Sequence, residues 1–107
     1  MNTALDIAAC FHQGAKIFGD LWILLIVDAL NSKESRFNEL QRAVNGVSPV
    51  TLANRLRKLE SWGLVSRKEE TVDKLSVTYS LTKKGQDMLP ALREIQTYGN
   101  KYFGKAG

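Results

Sequence analysis

RFNELQRAVNGVSPVTLANRLRKLESWGLV, residues 36–65, is the stretch that decides the fold. Asn38 can cap a first helix with Gln41 at its third position, and Leu40 and Val44 form that helix's inner face. Asn45-Gly46 is a turn signal. Ser48 then offers a hydroxyl to the free amides of a second helix, and Pro49 follows at the one position where its missing N–H costs nothing. Leu52, Leu56 and Leu59 recur at i, i+4 and i+7, which puts them on one face. Gly63 ends the helix. Two helices joined by a short glycine turn have the proportions of a helix-turn-helix.

Downstream, the period changes from helical to alternating. Val77, Tyr79 and Leu81 alternate with Ser76, Thr78 and Ser80, which predicts a strand with one apolar face. Residues 64–70 and 75–81 then form a hairpin with a polar tip at Thr71 to Lys74. Thr82 caps a last helix bearing Met88, Leu89, Leu92 and Ile95, which Pro90 interrupts or kinks. Upstream, Thr3 and Asp6 fit a capping box, and Leu5, Ala8, Ala9, Phe11 and Ala15 repeat at helical spacing until Gly19. Asp20 caps a helix over 21–31 that is apolar on most sides, which predicts the buried centre of the core. Arg36-Phe37 reads as a short extended piece. The expected fold is α+β: one domain over 1–107, with a helix-turn-helix at about 38–62, a β-hairpin wing at about 64–81 and flanking helices at about 3–18 and 82–103.

Composition narrows the function. A chain of 107 residues, 44% hydrophobic and 24% charged, suits one domain with its own core. Cys10 is the only cysteine, so no disulfide can form within the chain. The longest apolar run, Leu21 to Val27, is far short of a membrane span, and no signal-peptide pattern opens the chain. These readings favour a cytoplasmic protein with no membrane partner. A lone histidine, His12, rules out a multi-histidine metal site within one chain, and no nucleophile-elbow or phosphate-loop pattern occurs. We expect no enzyme, no cofactor and no metal.

The net charge is +4, and its excess is local. Between Lys33 and Lys68 eight basic residues face three acidic ones, so this segment more than accounts for the whole imbalance. A basic middle on a small domain points to a polyanion. The second helix of the pair, pinned by its leucine face, leaves the other face for a major groove. Asn54 and Arg55 are the side-chain types that make two-point contacts with adenine and guanine edges, and Val50 and Thr51 carry methyl groups that suit thymine. Arg57, Lys58, Arg67 and Lys74 are the phosphate candidates, and the amides behind Ser48 add a further anion site. The competing expectation is a winged-helix module that touches protein instead of DNA, which an apolar stripe on that face would mark.

The order of these pieces resembles the HxlR-type regulators, relatives of the MarR group. The resemblance runs from about Ile17 to Tyr98. It rests on Gly19-Asp20-Leu21-Trp22, on Arg36-Phe37-Asn38-Glu39-Leu40, on Gly46-Val47-Ser48 with Arg55-Leu56-Arg57-Lys58-Leu59-Glu60, and on Tyr79-Ser80-Leu81-Thr82 with Gly85. It implies a homodimeric transcription regulator reading a two-fold symmetric site in double-stranded DNA, with the effector unspecified. It also implies dimer contacts from the terminal helices, here Leu5, Phe11, Leu89, Leu92, Ile95, Tyr98 and Tyr102; the alternative is that some of these complete the core of the monomer. Where the family often carries Pro-Pro followed by Arg in its wing, this chain has Lys74-Leu75-Ser76, leaving Lys74 as the wing's cation. Many members carry an N-terminal Cys-Pro that senses oxidants. Cys10 stands near that position, followed by Phe11, and is the candidate redox sensor; the simpler reading is a buried small apolar residue.

Overall fold

Asp20 starts the central helix. Its Oδ1 accepts the Ile23 N–H at 3.1 Å and satisfies one of the amides that a helix start leaves open. Residues 4–70 and 76–104 are described by the computed structural model, with side chains described from residue 8 onward. The Thr3–Asp6 capping box, the side chain of Leu5 and the hairpin tip with Lys74 lie outside them. The helices are α1 (Ala4–Phe18), α2 (Leu21–Ser32), α3 (Phe37–Ala43), α4 (Pro49–Ser61), α5 (Lys83–Gln86) and α6 (Leu89–Phe103). The strands are β1 (Ser35–Arg36), β2 (Val65–Glu69) and β3 (Val77–Leu81).

Helix α2 buries Ile23, Ile26, Val27 and Leu30, the i, i+3, i+4, i+7 stripe of one face. This helix is the centre of the core, as its composition predicts, but not all of its apolar residues are enclosed: Leu21 is 62% exposed and Leu25 lies open beside it. Around the buried stripe pack Leu40 and Val44 of the α3 end, Leu52, Leu56 and Leu59 of α4, and Leu64, Val65, Met88 and Leu92. The leucine face of α4 is therefore the core face, as its spacing predicts.

Helix α3 starts two residues before the position that an Asn38 cap predicts. Residues 35–36 are held extended by pairing with β3, so the helix begins at once with Phe37, which packs against the core. The Glu39 carboxylate reaches back to the Arg36 N–H at 2.8 Å. That hydrogen bond, followed by the charge of Lys33, holds the Glu39 carboxyl below its ordinary value against the opposing cost of desolvation.

The hairpin is the larger part of a three-stranded antiparallel sheet of order β1-β3-β2, with Arg67 opposite Tyr79 and Ser35 on the other side of Tyr79. Tyr79 and Leu81 lean on the core as expected, but every residue of β3 keeps some exposure. A sheet of this width covers the core with one face only.

Thr82 ties the end of the sheet to the helices: its Oγ1 accepts the Gly85 N–H at 3.1 Å and donates to the Gly63 carbonyl at 2.6 Å. Gly85 is required there, since a Cβ would come within 2.1 Å of the Leu64 carbonyl oxygen. Pro90 separates two helices instead of kinking one, and it sits in the first turn of α6, where no N–H is needed.

The result is a flat particle of 50 × 46 × 23 Å with a radius of gyration of 15.8 Å. A compact globule of this length has a radius of about 13 Å. Helices α1 and α2 meet at a bend of 71°, so α1 leaves the core as an arm. No single helix among the described residues is long and apolar enough to cross a membrane.

Candidate nucleic-acid interface

The outer face of α4 is built by subtraction. With Leu52, Leu56 and Leu59 inward, a repeat of 3.6 residues per turn turns Val50, Asn54 and Arg57 outward and Thr51 and Lys58 to one edge. Val50 is 71% exposed, and Asn54, Arg57 and Lys58 are exposed with it. Arg57 donates through its terminal nitrogen to the Asn54 Oδ1 at 2.6 Å, which aligns two groups able to address a base edge. At the start of the helix the Ser48 Oγ accepts the Thr51 N–H at 3.1 Å and donates to the Thr51 Oγ1 at 3.0 Å. Ser48 is thus first a cap, as its position predicts.

Arg55 is the main correction. It stands at the shoulder between the core face and the outer face, and its Nε donates to the Asp20 Oδ2 at 2.8 Å. The two side chains are 24% and 21% exposed. Asp20 therefore does two things at once: one oxygen caps α2 and the other holds α4. Sequence reasoning reached the cap, which is local, and missed the strut, whose partner is 35 residues away. Arg55 thus ties α4 to the start of α2 and is less exposed than Asn54 and Arg57.

On the wing, Arg67 pairs with Glu69 at 2.8 Å. The Glu69 carboxylate, and after it Tyr79, raises the Arg67 guanidinium above its ordinary value. Lys74 lies outside the described residues.

The flanking helices divide their apolar residues. Leu92 is 5% exposed and belongs to the protomer core, which corrects its place among the expected dimer contacts, while Leu89 is partly buried against the same core. Ile95, Tyr98, Tyr102 and Phe103 remain exposed on α6, and Phe11 on α1. The Tyr98 and Tyr102 rings lie 5.0 Å apart. Leu21 and Leu25 of α2 are exposed beside Ile95, although their hydrophobicity alone points to the core. Between them and Ile95 lies a shallow groove of about 160 Å³. Cys10 is exposed on α1, which corrects the simpler reading of a buried apolar residue.

An HxlR-like helix-turn-helix model matches residues 17–106. The chain belongs to this family of transcriptional regulators. It is 37% identical over 92 residues to the HTH-type transcriptional regulator BH0655 of Halalkalibacterium halodurans, covering 85% of this chain and 81% of that one. Among solved structures, a MarR-family transcriptional regulator from Porphyromonas gingivalis W83 superposes with a TM-score of 0.80 at 33% identity, covering 87% of this chain and 91% of that one. The reduced form of the transcriptional regulator YodB from Bacillus subtilis superposes with a TM-score of 0.74 at 25% identity over the full length of both chains. The fold is the winged helix-turn-helix of these regulators.

Proposed function

We propose that the protein binds duplex DNA as a homodimer, laying the outer face of one α4 from each protomer in the major groove of each half of a two-fold symmetric site. The observation that carries this reading is the α4 face itself: Asn54 and Arg57 are exposed and joined to each other, with Lys58 beside them, while the leucines opposite are buried. A face meant for protein would carry an apolar stripe, and here Val50 is its one large apolar side chain. Charge supports the same partner, since the basic excess gathers on this segment. Dimerisation is supported by the exposed apolar side chains of Ile95, Tyr98 and Tyr102 on α6 and of Phe11 on α1, and by a particle flatter than a self-sufficient globule.

The test is selection from a random duplex pool, followed by a salt titration on the winning sequence. An inverted repeat whose affinity falls steeply with salt is expected. No enrichment, with weak binding even at low salt, would overturn the reading. On the selected site, Asn54→Ala and Arg57→Ala are each expected to cost about 1–3 kcal/mol and to relax the choice of base at one position per half-site. Unchanged affinity and base preference in both variants would remove this face from the interface.

A redox response is a second reading, carried by the exposure of Cys10 on the arm that also bears Phe11. Two Cys10 thiols from the two protomers would lose two protons and two electrons to an added azo oxidant, whose N=N bond is reduced to a hydrazine, forming one S–S bond across the dimer. Diamide treatment is then expected to give a dimer on non-reducing gels, with altered operator affinity. A chain that stays uncrosslinked and unmodified by mass, with unaltered affinity, would remove Cys10 from this role.

A further inference from the structure

Along α4, Val50, Asn54, Arg57 and Ser61 follow one another at i, i+4, i+7 and i+11, and all four are exposed. Val50 has no hydrogen-bonding side chain. Ser61 is turned back on its own helix, its Oγ donating to the Lys58 carbonyl at 2.8 Å. The other two are joined, with the Arg57 terminal nitrogen donating to the Asn54 Oδ1 at 2.6 Å. The row holds no carboxylate, and the ion pairs among the described residues do not include Arg57.

That junction fixes what the pair can offer to a ligand. A guanidinium carries N–H donors only, whereas a carboxamide has one oxygen that accepts and one nitrogen that donates. The Asn54 oxygen is held by Arg57, so the Nδ2 amide is what remains, together with the guanidinium N–H groups that Asn54 does not use. Joined, the two side chains present donors beside a positive charge. An asparagine acting alone pairs instead with adenine, where its oxygen accepts from the amino group and its nitrogen donates to N7. That contact needs the oxygen that Arg57 holds.

The four bases differ in how they meet a row of donors. Guanine alone presents two acceptors, N7 and O6, on its major-groove edge. Adenine and cytosine each present an amino donor there, which would meet the pair donor to donor. Thymine presents O4 alone, beside a methyl group.

We propose that Asn54 and Arg57 act as one reader and that the base they read is a guanine, one in each half-site. This deepens, and rests on, the reading that the protein lays α4 in the major groove of duplex DNA. The link between the two side chains is then what selects guanine over adenine, because it commits the carboxamide oxygen before the base arrives.

The experiment uses the full chain and the duplex site that the wild-type protein selects. Each guanine of the half-site is replaced in turn by 7-deazaguanine, which keeps the base pair and lacks the N7 acceptor. One position per half-site is expected to lose affinity about tenfold, within the range of a two-point base contact. Asn54→Ala and Arg57→Ala should each shrink that penalty, and the double alanine variant should abolish it, because both side chains serve one base. Asn54→Asp keeps an acceptor for Arg57 and replaces the Nδ2 donor by a second acceptor oxygen, so reselection with this variant is expected to lose guanine at that position. Both side chains are exposed, so the fold should be unchanged, which circular dichroism checks. Single variants that relax two different positions, or a shared position that is adenine, overturn the joint reader and leave DNA binding standing. Full affinity on every 7-deazaguanine duplex does the same. A wild-type protein that selects no sequence overturns the broader reading and the guanine assignment with it.

Discussion

Ile95→Asp combined with Tyr98→Asp is expected to give a folded monomer whose operator affinity is about 10²–10⁴-fold weaker than that of the wild type. The magnitude is the advantage that two joined reading heads hold over one. Ile95 is 48% and Tyr98 64% exposed in the protomer, so neither supplies much of its core. Two carboxylates on this face would have to be desolvated without partners in a dimer, a strongly unfavourable change. Light scattering reads the mass, far-ultraviolet circular dichroism reads the fold, and a binding titration reads the operator. A variant that stays dimeric at full affinity would place the dimer contact elsewhere. Leu92→Asp makes the contrast: that side chain is in the core, so the same chemistry there should unfold the protomer itself.

Asp20→Ala is expected to lower the unfolding free energy by about 2–3 kcal/mol, well beyond what a surface carboxylate contributes. Two losses add. Removing an N-cap costs roughly 1 kcal/mol. Removing the acceptor of a hydrogen bond to a charged group, here the Arg55 Nε at 2.8 Å, costs roughly 1.5–3 kcal/mol, at the lower end because the pair keeps some contact with water. Asp20→Asn separates the two. Asparagine caps a helix as well as aspartate does, so this variant keeps the first contribution and weakens only the second. About half the loss is expected. Denaturant unfolding at one fixed protein concentration measures both, since dimerisation makes stability depend on concentration. Equal, negligible losses in the two variants would show that the strut between α2 and α4 contributes nothing.

Much of this architecture is legible in short windows of sequence, for a physical reason. Helix starts leave amides open, and the residue that closes them lies three positions away, so Asp20 and Ser48 announce themselves. The inward faces of α2 and α4 are equally readable, because i, i+3, i+4 and i+7 are neighbours on any helix, whatever it packs against. The glycine turn and the break at Pro90 follow from backbone geometry alone.

The rest depends on which elements meet. Nothing local marks Arg55 as the partner of Asp20, and by residue type it reads as a base contact; packing α4 across the start of α2 turns it inward. Asn38 looks like a cap until β1 pairs with β3 and moves the helix start to Phe37. Leu92 and Ile95 are equally apolar and nearly one turn apart, yet one is core and the other surface, because α2 covers only one side of α6. The sequence by itself determined the order of the helices, the caps at Asp20, Ser48 and Thr82, the inward leucines of α4 and the location of positive charge, all set by spacing and residue type. Only the tertiary structure decided which arginine braces the reading helix and which apolar side chains remain uncovered, since each depends on a partner distant in the chain.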